Sequence, residues 1–374
     1  MLLDADEMLF HQTPQTMAQT NISDHRFYDR HWFTGFDPKR GLGFNLGMGL
    51  YKNMNVLDGF LAVMNDNKQY NIRLSRVLRP EISTKVGPLS IEIIAPYKHI
   101  RLRVEENEHG IGCNLDWRSD YDVHLEEMQS AISHGMLTQQ NTRYDQTASV
   151  TGWLLADGVK HPVESMWSVR DHSWGVRPGV GGFEPIRSDH GAAAGELPPN
   201  QPRLWLWAAL STANYSLQMQ RIEDRQGRIM HLDGQLLPRP GKGGAPLKVK
   251  ALNPTTLEFF PGTRAVKALR YDVELSDGSR LDVIGEPAIR AWAYAGTGYD
   301  KGYNDGRGLG AQRGNLIPEY DVYDLSHPEI VRNAAGAVIG SGHREQAVKL
   351  TVNGEACVGH FPVMVFDTLP GMSD

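Results

Sequence analysis

Cysteine is almost missing from this chain: Cys113 and Cys357 are the only two among 374 residues, and they lie far apart. Two such residues cannot staple a small fold or build a zinc site by themselves, so both are expected as free thiols. Long apolar runs are missing too. The longest are short stretches such as Leu204–Leu210, well below the roughly 20 residues that a membrane helix needs. Positive charge is not in excess, since 38 Lys and Arg against 44 Asp and Glu leave a net charge of −6, with no basic run. That balance argues against a nucleic-acid partner. Met1–Gln19 carries Asp4, Asp6 and Glu7 where a secretory leader wants positive charge, so a cytoplasmic protein is expected.

The familiar catalytic signatures are equally scarce. There is no His-x-x-x-His or Cys-x-x-Cys, and His172 has no short, regular spacing to His161 or His190, so neither metal nor cofactor is expected. Gly-x-Ser-x-Gly is absent, which disfavours a hydrolase of the nucleophile-elbow type. Gly296–Tyr303 contains Gly-x-Gly, but it follows no buried parallel strand and lacks the Gly-Lys-Ser/Thr of a phosphate loop. It reads as a rim loop carrying Tyr299 and Tyr303. Gly179–Pro202 and Gly241–Gly244 are two further loops of small residues, and the first falls where a domain boundary would be expected.

What the chain does have is alternation. Tyr70, Ile72 and Leu74 alternate with Asn71, Arg73 and Ser75, and Ile100, Leu102 and Val104 with Arg101, Arg103 and Glu105. Leu89–Ile93, Ile111–Trp117, Leu204–Leu210, Ser216–Glu223 and Leu269–Leu275 repeat the style. Each predicts a half-buried strand. The connectors Asn65–Lys68, Asn107–Gly110, Ala156–Gly158 and Ser276–Ser279 are turn chemistry. Many short antiparallel strands predict an all-β sandwich or barrel. At this length two domains are expected rather than one of about 100–200 residues. The helical spacing of Leu125, Met128 and Ile132 predicts one helix near Asp122–Gly135, and a second short helix is expected at Asp4–His11.

Chemistry concentrates in Val169–Arg177. This segment packs two cations, an acid, an imidazole and an indole before the chain breaks at Gly175, Pro178 and Gly179. In a regular strand Asp171 and Ser173 point one way, and Arg170, His172 and Trp174 the other. Ser173 beside His172 is therefore no dyad. On one reading His172 and Trp174 wall a cavity, with Arg170 or Arg177 as a fixed cation and Asp171 as acid or base. On the other, Asp171 forms a buried bridge to Arg170 or Arg177 and pins a domain junction. Trp205 and Trp207 share one face of their strand and either wall an apolar ligand or fill a barrel interior. Trp153 and Trp167 read as core.

The motif Arg170–Asp171–His172–Ser173–Trp174–Gly175–Val176–Arg177, preceded by Tyr144–Asp145–Gln146 and Ser149–Val150–Thr151–Gly152, resembles the tandem lipocalin-like families around the bacterial carotenoid 1,2-hydratases (hydroxyneurosporene synthases). That group includes uncharacterised AttH-type proteins and fungal relatives, some of them pericyclases. Gly47–Tyr51 followed by Asn55–Phe60 resembles the uncharacterised branch in particular. The resemblance implies two calycin-type β-barrels packed side by side, divided here at residues 1–185 and 186–374, with a pocket near the junction. It maps the family's active-site His and Trp onto His172 and Trp174. The family's Tyr-x-Asp proton-donor pair has no counterpart in Leu204–Trp205–Leu206–Trp207. Asp171, His172 or a remote acid such as Glu319 is then left to donate the proton.

The expected function is cofactor-independent acid/base chemistry, namely hydration, isomerisation or cyclisation of a hydrophobic small molecule such as a terpenoid, polyketide or aromatic compound. The catalytic residues would be His172 and Asp171, and the ligand-binding residues Trp174, Arg177, Trp205, Trp207 and Tyr299. A non-catalytic carrier of a lipophilic ligand is the alternative, and a structural or interaction protein the third reading. No nucleic acid, integral membrane segment or metal is expected, and the composition leaves room for a homodimer.

Overall fold

The computed structural model describes residues 3–7, 9, 11–78, 82–119, 121–133, 136–181, 202–287, 296–299, 307–340, 347–366 and 369. Strand accounts for 64% of the chain and helix for 1%, so the all-β expectation holds. In chain order the first strands are β1 (Phe27–Asp37), β2 (Leu42–Tyr51), β3 (Val56–Asn65), β4 (Lys68–Val77), β5 (Lys85–Val86), β6 (Leu89–Ala95), β7 (His99–Val104), β8 (Gly112–Arg118), β9 (His124–Leu125), β10 (Gln129–Ser133), β11 (Met136–Ala156) and β12 (Val159–Val176). They are followed by β13 (Pro202–Ser211), β14 (Tyr215–Asp224), β15 (Ile229–Pro238), β16 (Leu247–Phe259), β17 (Val266–Leu275) and β18 (Arg280–Pro287). The remainder are β19 (Leu316–Asp324), β20 (Val331–Asn333), β21 (Val338–Gly340), β22 (Ala347–Val352), β23 (Glu355–His360) and β24 (Val363–Val365).

β13 to β18 with β22 and β23 close an eight-stranded antiparallel barrel, because β14 pairs with both β15 and β13. β1 to β12 build a large antiparallel sheet, and β19 to β21 return to extend it. β19 pairs with β4 along its whole length, Leu316 opposite Arg76 through to Asp324 opposite Lys68. An otherwise open strand edge is thereby covered. Tight turns close the hairpins where the sequence placed them: Asp66 and Asn67 (φ 51° and 58°) and Asp157 and Gly158 (φ 51° and 73°) take the left-handed conformation that a two-residue turn demands.

Each sheet encloses its own apolar core. Phe33, Phe44, Leu61, Ile72, Ile100, Leu115 and Trp117 belong to the first, and Leu206, Leu252, Tyr271, Val283 and Phe361 to the second. A third apolar cluster, with Trp32, Phe60, Val169, Trp207 and Ala209, joins the two. Alternation in β1 to β4 means something other than one wet face, however. Arg30, Asn45, Asp58, Asn71, Arg73 and Ser75, on the positions opposite the core, are buried as well. These strands are covered on both faces, and the second face mixes buried polar side chains with Trp32, Phe60 and Met64.

The helix expected near Asp122–Gly135 does not form, and β9 and β10 occupy that segment. Leu125, Met128 and Ile132 are exposed (62%, 58% and 71%), so their spacing marks no buried stripe, whereas Glu126 between them is buried. Asp4–Glu7 is a single 3₁₀ turn. Trp153 is half-buried beneath Lys160 and belongs to none of the apolar clusters, its ring 4.2 Å from the ammonium. Both cysteines are free thiols, Cys113 buried in the first core. Among the described residues no helix is long and apolar enough to cross a membrane.

Candidate functional site

β11 and β12 run side by side with Tyr144 opposite His172, Asp145 opposite Asp171, Gln146 opposite Arg170 and Arg143 opposite Ser173. Strand alternation therefore sorts the motif onto two faces. Arg170, His172 and Trp174 share one face with Tyr144. Asp171 and Ser173 share the other with Arg143 and Asp145.

On the first face the Tyr144 hydroxyl donates to His172 Nδ1 (2.9 Å), and His172 Nε2 donates to Asp29 Oδ1 (2.7 Å). That assignment follows from the partners, since a carboxylate only accepts. The rings of His31 and Trp174 lie 4.0 Å and 5.4 Å from the imidazole. His31 is half-buried, and desolvation, with His172 and Arg170 adding to it, keeps its pKa well below the ordinary histidine value. Arg170 stacks on Trp117 and Tyr144 and donates to Gln146 Oε1 (2.9 Å).

The second face turns towards the barrel. Asp145 is completely buried, and its Oδ2 accepts from the Trp207 indole N–H (3.3 Å). Glu126 Oε1 accepts from the same N–H (3.3 Å) and Glu126 takes a two-point contact from Arg143 Nη2 (2.7 and 2.8 Å). Arg143 Nε lies 3.7 Å from Asp145 Oδ1. With its amide oriented to satisfy both donors, Gln220 accepts from Trp205 Nε1 (2.8 Å) and from Arg143 Nη2 (3.1 Å). Three carboxyl groups, Glu126, Asp145 and Asp171, thus surround one guanidinium. Like charges opposite each other on neighbouring strands repel, and Asp145 faces Asp171 in that way.

The protons distribute accordingly. Burial, then the Glu126 charge, raises Asp145 well above the carboxylate range, which favours its protonated form beside Glu126. Burial also opposes ionisation of Glu126, but Arg143 and the hydrogen bond from Asp145 outweigh it and hold that carboxyl below its usual value. Asp171 is raised by burial against the opposing pull of Arg143 and Arg177. A desolvated carboxyl kept neutral beside an ionised one divides acid from base.

Neither bridge expected for Asp171 forms: Arg170 lies on the opposite face, and no nitrogen of Arg177 comes within ion-pair distance among the described residues. Arg177 lies over the rings of Tyr28 (4.9 Å) and Tyr299 (5.6 Å). Trp205 and Trp207 point out of the barrel, whose interior takes Leu204 and Leu206 instead. The structure thus brings Asp171, Arg177, Trp205, Trp207 and Tyr299 to the junction face and leaves His172 and Trp174 on the other. Glu319 sits farther out on the junction face, bonded to Arg73 Nη2 (2.8 Å). Tyr303 lies outside the described residues.

Glu126 and Arg143 were not singled out from the sequence, and Asp145 only as part of a motif. Glu126 lay in a segment that reads as helix. The available signal was Arg143–Thr147, a strand without an aliphatic residue on either face, which ordinary packing does not produce. A groove of about 800 Å³ also opens at the far end of the junction, lined by Phe36, Arg40, Arg118, Tyr121, Trp167 and Arg239 among others. None of the expected site residues lines it, and Arg40 and Arg118 are exposed, so the buried carboxyl cluster is the stronger site. No group of three or more His, Cys, Asp or Glu among the described residues is arranged to hold a metal ion.

The whole fold is similar to known structures. A crystal structure of a putative AttH from Nitrosomonas europaea superposes with a TM-score of 0.52 at 13% identity, covering 90% of this chain and 92% of that one. Kievitone hydratase from Nectria haematococca (TM-score 0.40, 11% identity, 90% and 89% covered) and CghA with Sch210972 (TM-score 0.47, 10% identity, 91% and 89% covered) are more distant. At such identities the likeness concerns the fold alone. No curated protein matches the sequence. The profile of a family of unknown function (DUF8625) matches residues 2–353, nearly the full length, and the protein belongs to that family.

Proposed function

We propose that this protein is an acid/base enzyme acting on a hydrophobic small molecule, by hydration, isomerisation or cyclisation, at the face where the sheet meets the barrel. One observation carries the reading: Asp145 is a completely buried carboxyl set beside the Trp207 indole and Glu126, where burial and the Glu126 charge push it towards its protonated form. Protonating a C=C bond needs such an acid in a dry setting. Asp145 gives its proton to one alkene carbon, and the cation that develops on the other faces the indoles of Trp205 and Trp207, whose π-faces attract positive charge. Asp171, partly open and without an ion pair among the described residues, takes a proton from the attacking water or from the neighbouring carbon. His172 acts from the far face, tying β11 to β12 through Tyr144 and to β1 through Asp29.

The test is incubation of the protein with a panel of lipophilic alkenes and enones in heavy water, read by mass spectrometry. Products carrying one new C–D bond, lost in Asp145→Asn, are expected. Recovery of bound but unchanged compounds, with no deuterium, would instead make the protein a carrier.

A further inference from the structure

The same junction face carries a second buried polar cluster that the proton-transfer scheme does not use. Arg30 is 2% exposed. Its Nη1 donates to the Tyr51 hydroxyl (2.9 Å) and to Asp58 Oδ1 (3.1 Å), and its Nε to the Tyr299 hydroxyl (3.2 Å). Its Nη2 is buried and has no hydrogen-bond partner among the described residues. Asp58 is already engaged, because its Oδ2 accepts the Gly310 amide (2.7 Å). Arg177 reaches the same place: the Tyr299 ring lies 5.0 Å from the Arg30 guanidinium carbon and 5.6 Å from that of Arg177. Two cations thus flank one ring, and among the described residues only one has a carboxylate. Arg177 is half-buried with no carboxylate partner among the described residues, and the buried Arg30 Nη2 has no hydrogen-bond partner, so the arrangement points to an anion supplied from outside.

The backbone is cleared for this cluster. A Cβ on Gly47 would stand 2.7 Å from Arg30 Nη2 and 2.6 Å from the Phe60 ring, and one on Gly49 would stand 2.5 Å from the Tyr51 hydroxyl. The Gly-x-Gly-x-Tyr of Gly47–Tyr51 is therefore what lets the guanidinium lie flat on the sheet. Arg30 lies two strands away from Asp145 and one same-face position along, since Arg30 pairs with Ser173 and Ser173 with Arg143. Strand geometry puts roughly 12 Å between those two backbone positions. Trp32 and Phe60 belong to the apolar cluster between them.

We infer that Arg177 and Arg30 form a carboxylate-binding site, and that the substrate is an amphipathic acid whose anionic head sits there. This rests on reading the junction face as the ligand site. The guanidinium fork matches a planar carboxylate. The single uncompensated cation favours a monoanion over a phosphate dianion.

The experiment is calorimetric titration with 6-phenylhexanoate, 6-phenylhexanol and 6-phenylhexyl phosphate. The acid is expected to bind roughly ten- to a hundredfold more tightly than the alcohol, the range for hydrogen bonds to a charged group. In Arg177→Gln, whose side chain makes no ion pair to lose among the described residues, that preference should collapse while alcohol affinity stays unchanged. Arg30→Lys, checked for a native unfolding midpoint, should weaken it less. Equal affinity for acid and alcohol, no binding of either, tighter binding of the phosphate, or a preference that survives Arg177→Gln would overturn the inference. Asp145→Asn separates the two ideas. It should keep the acid preference while losing turnover, whereas turnover of an uncharged alkene without any acid preference would remove the carboxylate site and leave the acid/base reading standing.

Discussion

Replacing Asp145 by Asn is expected to stabilise the protein at neutral pH and to abolish its turnover. The side chain is fully buried and pushed towards its protonated form, which an amide reproduces: its oxygen would accept from Trp207 and its N–H would donate to Glu126. In the wild type the proton must be taken up on folding. Because the folded pKa lies above the unfolded value of about 3.9, the native state binds the proton more tightly. The stability linked to this group is complete below about pH 3.9 and falls as pH rises towards the folded value, by about 1.4 kcal/mol per pH unit. Glu126, held low, behaves in the opposite sense, and its contribution is complete above its unfolded value of about 4.3. The stability difference between the Asp145→Asn variant and the wild type should therefore grow with pH above about 4, and Asp171, raised in both, largely cancels from it. Urea unfolding midpoints at pH 4 to 9 measure this, alongside product formation. An Asp145→Asn protein that is less stable than the wild type by a constant amount from about pH 5 to 9 would mean that Asp145 is ionised in the native state, and the argument would fail.

Glu126→Gln removes the anion that helps to raise Asp145, so the alkaline limb of the pH–rate profile should move to lower pH; an unmoved limb would assign it to another group. His172→Ala gives up two hydrogen bonds on the far face and should cost about 1–3 kcal/mol while turnover persists. A stable but inactive protein would place the chemistry on His172. Gly47→Ala forces a methyl group against Arg30 and Phe60 and should cost about 1–3 kcal/mol, read as a lower Tm. Burial pushes both thiols up to about 12, so a thiol reagent at pH 8 should find almost none in the folded protein and two in denaturant without reductant.

Much was legible in the chain itself. Period-2 alternation and Asn/Asp/Gly turns determined the strands, because side-chain direction and left-handed turn positions are local properties. The same alternation placed Asp171 and His172 on opposite faces of β12. Alternation could not tell what covers each face: Asn71, Arg73 and Ser75 read as a solvated edge, and only the tertiary structure buries them. Helical spacing misled at Leu125–Ile132, since three apolar residues there stay exposed while Glu126 turns inward. The return of β19 to β4 was invisible, because pairing across some 240 residues depends on which edge lies open after the rest has folded. The candidate proton donor has the same origin. Asp145 is an ordinary aspartate in the sequence, and it becomes an acid because Trp207, 62 residues away, closes over it and Glu126 claims the arginine both could have used.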